Sequence, residues 1–255
     1  MTSRLTYAGD IFAVGLVGLV IWQGLHWALG AGVLASPKNV CAALAETLTH
    51  AGFWEHASAT LRALAAASVL SLLGGILLGV LLGIALTAGA VFEPILVSFY
   101  ALPKVTLYPL ILLTFGLGLS AKVAFGVLHG LIPVCLMTMN GVRQMPRAYL
   151  RSARVLQLTP MQTTLHIVMP AVLPTILSSV RLGFSLSLLG VLIGEMFAAK
   201  AGLGFLIMNA IAMNDMATLL ALTFLLFAFA IFVNWALGFM INRIIVRRLG
   251  DAANG

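Results

Sequence analysis

The sequence predicts an all-α integral membrane protein with about six transmembrane helices. Of its 255 residues, 62% are hydrophobic and only 8% are charged, whereas soluble domains carry roughly 25% charged residues. The apolar residues form continuous runs near the length of about 20 residues that a helix needs to cross a bilayer. These runs lack the alternation of apolar and polar residues that a membrane β-barrel requires, so spanning helices are predicted.

Six apolar runs are the candidate spans, and polar segments separate them. The spans cover residues 11–29, 60–87, 91–117, 121–143, 171–197 and 217–242. We expect residues 1–57 to contain the first span and an external polar loop, and residues 58–248 to form the transmembrane core. Residues 249–255 then form a cytoplasmic tail.

The positions of lysine and arginine predict the orientation of the chain. If the N-terminus is cytoplasmic, the inner side receives eight basic residues, and the outer side receives only Lys38, Lys122 and Lys200. The inner residues are Arg4, Arg143, Arg147, Arg151, Arg154, Arg243, Arg247 and Arg248. Because basic residues are retained on the cytoplasmic side, both termini are predicted to be cytoplasmic. This distribution accounts for the net charge of +7 without a nucleic-acid partner.

Two spans contain residues that modify helix packing. Gly75, Gly79 and Gly83 recur every four residues in the second span, which places them on one face where another helix can approach closely. Packing within the chain is the favoured interpretation, and a subunit interface is the alternative. In the third span, three prolines predict a kinked helix, because each one removes a backbone hydrogen bond. These are Pro94, Pro103 and Pro109.

The polar segment 143–170 is predicted to form two short helices at the cytoplasmic surface, with a break at Gln157. Its four arginines are spaced four, four and three residues apart, so one helix would place all of them on one face. A second helix is predicted to begin at Thr159, with Pro160 at its first position and Gln162 completing a capping box. Such an element could dock on a soluble partner, or it could be a basic loop that only sets the topology.

The same segment resembles the EAA loop of binding-protein-dependent ABC importer permeases. The resemblance rests on the stretch Leu150-Arg151-Ser152-Ala153-Arg154-Val155-Leu156-Gln157, followed by Ile167-Val168-Met169-Pro170. Ala153, Ile167 and Pro170 match that pattern in register. Arg151 replaces the usual glutamate and Gln157 replaces the usual glycine, so coupling to an ATPase and pairing with a more typical second subunit are open questions.

Further segments resemble the nitrate, sulfonate, taurine and bicarbonate branch of these permeases. They are Leu102-Pro103-Lys104, Tyr108-Pro109-Leu110, Phe115-Gly116-Leu117-Gly118, Asn140-Gly141-Val142-Arg143, Gly194-Glu195-Met196 and Gly202-Leu203-Gly204. Together with the loop, the resemblance extends over residues 36–248. It implies the type I ABC importer (MetI-like) permease fold, with coupling helices between spans four and five, in the bacterial cytoplasmic membrane.

The resemblance also implies the partners and the energy source. A cytoplasmic ABC ATPase dimer would bind ATP-Mg, an extracytoplasmic binding protein would deliver the solute, and a second permease subunit would complete a homodimer or a heterodimer. This chain has no phosphate-binding loop, so we expect it to bind no cofactor and to be no enzyme. The branch transports nitrate, sulfonates, taurine, bicarbonate and some vitamin precursors, and Lys104 with the positive net charge favours a small anion.

Two sets of functional residues are predicted. The coupling residues implied by the resemblance are Arg147, Leu150, Arg151, Ser152, Ala153, Arg154, Leu156, Gln157, Thr159, Pro160 and Pro170. Candidates for the translocation path or its gate are Lys104, Tyr108, Asn140, Arg181, Glu195 and Asn209, because polar groups within spans are costly and often functional.

Each path candidate has an alternative role. Lys104 could extend toward an interface instead of contacting solute. Glu195 is expected to close a gate or to pair between subunits, and a direct role in substrate binding is less favoured. Arg181 lies 14 residues before Glu195, about 21 Å along a helix, so these two cannot pair. The asparagines and Tyr108 could make ordinary interhelical hydrogen bonds.

Two other classes of protein are considered. A secondary transporter or channel would need no ATPase, but the sequence shows neither an inverted repeat nor a selectivity filter. A membrane-embedded enzyme would need a cluster of catalytic groups, but the seven acidic residues and five histidines are scattered. The histidines have no metal-ligand spacing. The permease is therefore the predicted function.

Overall fold

The computed structural model describes residues 2–253, with side chains for residues 13–197 and 199–243. Residues 2–253 contain helices and short turns, with no β-strand. The helices are α1 Thr2–Leu29, α2 Pro37–Thr49, α3 Ala51–Ile84, α4 Leu86–Ala101, α5 Tyr108–Phe115, α6 Leu119–Arg143, α7 Arg147–Val155, α8 Pro160–Thr163, α9 Met169–Ala198, α10 Leu203–Ala212 and α11 Met216–Ala253. A 3-10 turn, Lys104–Leu107, precedes α5, and a π turn, Thr164–Val168, joins α8 to α9.

The predicted all-α membrane class is confirmed by the length and composition of the helices. Four segments are long and apolar enough to cross a membrane, and α4 with the following turn and α5 can make a fifth. The four segments are Ala51–Ile84, Leu119–Arg143, Pro160–Phe197 and Met216–Arg243. The first predicted span, residues 11–29, corresponds to Ala13–Leu29, an apolar helix shorter than the other four.

The third predicted span is not the single kinked helix expected over residues 91–117. Instead, α4 and the segment 104–115 meet at an angle of 91°. Pro94 is accommodated inside α4, but Pro103 lies in the break and Pro109 lies in the first turn of α5. A proline fits the first turn of a helix because the N–H it lacks has no partner there. The three prolines therefore have different effects, and only Pro103 marks a break.

The helix at the second predicted span begins earlier and ends earlier than expected. Continuous helix runs from Ala51 to Ile84, whereas residues 60–87 were expected. The polar residues before position 60 extend the helix by more than two turns beyond the apolar run. The external polar loop expected in this region contains the short helix α2, which has Ser36 as its N-cap and Pro37 at its first position.

The core of the bundle is the contact of α3 and α9 with α6, and small residues allow it to be tight. A methyl group added at Gly79 would lie 2.6 Å from Thr138 Cβ and 2.7 Å from the Cys135 carbonyl oxygen. Gly75 and Gly83 meet α6 in the same manner. Packing within the chain, the favoured interpretation of this glycine series, is confirmed.

Helices α3 and α6 run parallel and α9 runs antiparallel to both, so the bundle has two distinct ends. At one end, Gly83 of α3 approaches Val142 of α6, and the α7–α8 loop follows immediately. We call this the Arg143 end. At the opposite end, Thr60 of α3 contacts Glu195 of α9, and we call this the Glu195 end.

Candidate functional site

The loop at the Arg143 end consists of two short helices, as predicted, but its arginines do not all lie on one helix. Arg143 ends α6, and its guanidinium forms an ion pair with Glu93. The chain breaks at Gln144–Pro146, and α7 begins with Arg147. Only Arg147, Arg151 and Arg154 therefore share a face, at positions i, i+4 and i+7 of α7.

The second helix begins with the predicted capping box. The Gln162 amide donates to Thr159 Oγ1 over 3.3 Å, and the Thr159 amide donates to Gln162 Oε1 over 2.9 Å. Pro160 occupies the first turn of α8. Two unsatisfied N–H groups at the helix start are thereby paired. This cap fixes where α8 begins, and Pro170 lies in the first turn of α9 after the π turn.

Gln157 lies in the turn between α7 and α8 with a φ angle of +50°. The backbone thus keeps a left-handed conformation, although the residue has a side chain. The Leu158 amide donates to the Ala153 carbonyl oxygen over 3.1 Å, and the Gln157 amide donates to the Arg154 carbonyl oxygen over 3.1 Å. These bonds close the C-terminus of α7. Although Gln157 replaces the usual glycine, the left-handed turn is kept, and a cost of about 1 kcal/mol is tolerated.

The predicted coupling residues differ in their exposure. Ala153 is buried, so it anchors α7 to the body of the chain, and Ser152 donates only to the Ala148 carbonyl oxygen on its own helix. By contrast, the apolar side chains of Val155, Leu156 and Met161 are 82%, 65% and 66% exposed. The α7–α8 loop therefore presents an apolar surface that no described part of the chain covers.

A buried polar cluster occupies the Glu195 end. The Glu195 carboxylate is 3.3 Å from Lys122 Nζ and accepts hydrogen bonds from Thr60 Oγ1 and from the Gly204 amide. Lys122 also donates to the Ala201 carbonyl oxygen. Glu195 and Lys122 are 1% and 5% exposed. A buried charge requires both an opposite charge and hydrogen bonds, and this cluster provides both.

Glu195 pairs with Lys122 of its own chain, a partner that the sequence did not indicate. The two roles expected for Glu195, closing a gate and pairing between subunits, stay predictions. Lys122, which was counted as an outer-side charge, is buried in the bundle at the Glu195 end. The cluster ties α3, α6 and α9 to the segment that precedes α10, and it thereby fixes the Glu195 end.

Sequence reasoning did not assign Thr60, Lys122 or the Gly204 amide to a common site. A methyl group at Gly204 would lie 2.7 Å from Glu195 Cβ, and one at Gly202 would overlap the Glu195 carboxylate. Gly202 and Gly204 could therefore have indicated this contact from the sequence, because they leave room for the Glu195 side chain. Thr60 lies in α3, 135 residues away in sequence, and no local pattern connects it to Glu195.

Tyr108 and Lys104 lie at the break before α5, and the structure gives each a local partner. The Tyr108 hydroxyl is buried and donates to the Gly194 carbonyl oxygen over 2.6 Å. Lys104 Nζ donates to the Tyr100 carbonyl oxygen over 3.0 Å and lies 4.8 Å from the centre of that tyrosine ring. Tyr108 thus joins the break to α9, and Lys104 closes the C-terminus of α4.

Arg181 belongs to a third polar group, between α9 and α11. Its Nε donates to Asn234 Oδ1 over 3.1 Å, and Asn234 Nδ2 donates to Ser185 Oγ over 2.9 Å. The arginine is exposed, and among the described side chains it has no carboxylate within salt-bridge distance. The hydrogen bond at Nε leaves the two terminal nitrogens of the guanidinium for another partner.

The two asparagine candidates lie apart from these groups. Asn140 is exposed near the Arg143 end of α6. Asn209 of α10 lines a pocket of about 390 Å³ at the Glu195 end, together with Glu46, His50 and Asp215. The predicted path residues therefore do not converge on one site within this chain.

The fold and these features define a polytopic membrane protein with a helical surface element inserted between two of its spans. The chain belongs to the family described as binding-protein-dependent transport system inner membrane component, whose model matches residues 75–250. It is therefore a multi-pass membrane subunit of an ABC transporter. It is a translocation component rather than an enzyme, and ATP is hydrolysed by a separate subunit.

Individual relatives agree with this assignment. A probable ABC transporter permease protein of Haemophilus influenzae is 30% identical over 239 residues, 92% of this chain and 96% of the relative. The taurine transport system permease protein TauC of Escherichia coli is 28% identical over 160 residues, 63% of this chain and 58% of the relative. An inward-facing structure of the MetNI methionine ABC transporter matches 77% of this chain and 94% of that chain, with TM-score 0.62 and 21% identity.

Proposed function

We propose that two permease subunits, this chain and a second copy or a related chain, form the translocation path of an ATP-driven importer for a small anionic solute. An extracytoplasmic binding protein delivers the solute to the Glu195 end. A cytoplasmic ATPase dimer docks on the α7–α8 loop, so the Arg143 end and both termini are cytoplasmic. The observation that carries this proposal is the exposed apolar surface of that loop.

The exposed side chains of the α7–α8 loop support the docking of a protein partner. Val155 ends α7, Leu156 follows it, and Met161 is the second residue of α8. These three are among the more exposed apolar side chains outside the spans. The loop is also well formed, because the capping box and the left-handed Gln157 fix the angle between its two helices. A rigid element with an apolar surface can transmit the motion of a partner to the spans on either side of it.

Replacing Val155 with aspartate is expected to release the ATPase from the transporter. The substitution places an unpaired charge at a contact that loses water on docking, and such a charge costs several kcal/mol when buried. The tagged chain is purified after co-expression with the products of neighbouring genes, and the co-purified proteins and ATPase activity are measured. Met213→Asp is the matched control, because Met213 is 72% exposed but lies in the α10–α11 turn.

The proposal expects the Met213→Asp variant to retain the ATPase and the Val155→Asp variant to lose it. Equal retention in both variants would exclude the α7–α8 loop as the docking site. If the chain purifies alone and moves solute along an ion gradient in liposomes without ATP, the secondary-transporter alternative replaces the importer.

Arg181 supports an anion as the solute. A guanidinium within a span is costly in lipid, so it faces protein, a partner or a water-filled path. Asn234 fixes the orientation of Arg181 through Nε, and the remaining nitrogens are suited to bind two oxygens of a carboxylate, sulfonate or nitrate. TauC, one of the relatives, is named for taurine transport, and taurine carries a sulfonate group.

The Arg181→Gln variant is expected to transport an anionic solute at least tenfold more slowly than the wild type, since a charged hydrogen-bonding partner worth about 1.5–3 kcal/mol is lost. Uptake of taurine, nitrate and an alkyl sulfonate is measured in proteoliposomes that contain the complete complex. Arg62→Gln is the control, because Arg62 is exposed and, among the described residues, bonds only to Ser58. An unchanged uptake rate in Arg181→Gln, or uptake of only a neutral vitamin precursor by the wild type, would contradict this role.

A further inference from the structure

The Arg143 end contains a pocket of about 450 Å³ beneath α7. Four arginines lie in its wall, together with the ends of α3 and α6 and the start of α4. The arginines are Arg143, Arg147, Arg151 and Arg154. The residues that line the pocket include no carboxylate. A pocket with this composition has a strong positive potential.

Arg143 differs from the other three arginines because its charge is already compensated. Its guanidinium pairs with Glu93 and lies against Gly89, where a methyl group would overlap it. Arg143 therefore forms a fixed part of the wall. Its Nε is buried and has no hydrogen-bond partner among the described residues, so one N–H donor in this wall still lacks an acceptor.

The other three arginines have no compensating charge in the described part of the chain. Arg147, Arg151 and Arg154 share one face of α7, and Arg154 Nε makes only a long hydrogen bond of 3.4 Å to the Leu150 carbonyl oxygen. Like charges at neighbouring helical positions destabilise a helix unless a counter-ion lies between them. The arrangement therefore favours an anion that bridges two or three guanidinium groups.

We propose that this pocket binds a phosphate group. Phosphate presents several oxygens and accepts paired hydrogen bonds from arginine, which a single carbonyl or hydroxyl cannot do. Ile84 and Leu86 also line the pocket, and they are 47% and 69% exposed. A phospholipid could therefore place its phosphate among the arginines and its acyl chains against these side chains. A soluble phosphate would use only the arginines.

The phosphate site adjoins the surface proposed for the ATPase but does not include it. Val155 lies one helical turn after Arg151 on α7, and its side chain is exposed and does not line the pocket. Occupation of the pocket would hold α7 against the ends of α3 and α4 while the apolar surface stays free. The phosphate would then stabilise the position of α7, and this effect does not depend on which solute is transported.

Native mass spectrometry of the full chain tests the site directly. The protein is released from neutral detergent in the presence of phosphatidylglycerol or phosphatidylcholine, and the fraction with one lipid bound is measured. The wild type is expected to bind phosphatidylglycerol at least tenfold more tightly than phosphatidylcholine, a difference in binding free energy of about 1.4 kcal/mol. The double variant with Arg151→Gln and Arg154→Gln is expected to lose this preference. The control is the double variant with Arg62→Gln and Lys200→Gln, which removes the same charge from exposed positions at the Glu195 end.

A second measurement distinguishes the two sources of phosphate. Thermal unfolding of the wild type and both double variants is followed with inorganic phosphate and with chloride at equal ionic strength. If inorganic phosphate stabilises the wild type but not the Arg151/Arg154 variant, and no lipid preference is seen, the site takes soluble phosphate. The proposal is overturned if phosphatidylglycerol binds the wild type no more tightly than that variant and inorganic phosphate stabilises the two equally. If that variant does not purify, the single variant Arg151→Gln takes its place in both measurements.

Discussion

Replacing Glu195 with alanine is expected to destabilise the purified chain by about 3–5 kcal/mol, the usual effect of removing one partner of a buried ion pair. Lys122 would keep its charge at a position where it is 5% exposed, and the Ala201 carbonyl oxygen would be its one remaining partner among the described residues. Thr60 Oγ1 and the Gly204 amide would also lose their acceptor. The loss is measured by thermal and denaturant unfolding in detergent.

Glu55 provides the matched control for this substitution. It is an exposed carboxylate at the same end of the bundle, so Glu55→Ala is expected to change stability by less than about 0.5 kcal/mol. The double variant with Lys122→Met and Glu195→Leu is expected to recover much of the loss, because it leaves no unpaired charge. Equal stability of the Glu195→Ala and Glu55→Ala variants would contradict the importance of the cluster.

Replacing Gly79 with leucine is expected to prevent folding of the core. Even a methyl group at this position would lie 2.6 Å from Thr138 Cβ and 2.7 Å from the Cys135 carbonyl oxygen. The second contact is with backbone and cannot be relieved by rotating a side chain. Overpacking of a core costs typically about 1–3 kcal/mol for small insertions, and a leucine forces α3 and α6 apart over several turns.

The yield of monodisperse protein after membrane extraction measures this effect. Gly18→Leu is the control, since no atom lies within 4 Å of a methyl group added there, and its yield should match the wild type. Gly79→Ala should give an intermediate yield and reduced thermal stability. Wild-type behaviour of Gly79→Leu would show that α3 and α6 are not packed as described.

Local sequence patterns predicted the α7–α8 loop well. Thr159, Pro160 and Gln162 act through contacts within four residues, so a capping box could be recognised before its partners were known. The glycine series at Gly75, Gly79 and Gly83 also predicted close packing on one face. Its partner within the chain could not be deduced, because a regular series of small residues shows which face is packed and not which helix packs against it.

The break in the third predicted span was harder to predict. Three prolines occur within residues 91–117, and their sequence spacing does not show which one ends a helix. Pro94 and Pro109 are compatible with their helices, because a proline removes a bond that α5 lacks in its first turn and that α4 can lose locally. Only Pro103 stands where the chain turns by 91°.

By itself, the sequence determined the all-α membrane class, the family and the position of the α7–α8 loop, because hydrophobic length, basic residues and helix caps act locally. Only the tertiary structure decided the partners of the charged residues. Glu195 lies 73 residues from Lys122, and Arg143 lies 50 residues from Glu93. Each pair forms because separate helices bring two opposite charges together. The Lys122–Glu195 pair lies where water is excluded, and an unpaired charge there would be too costly.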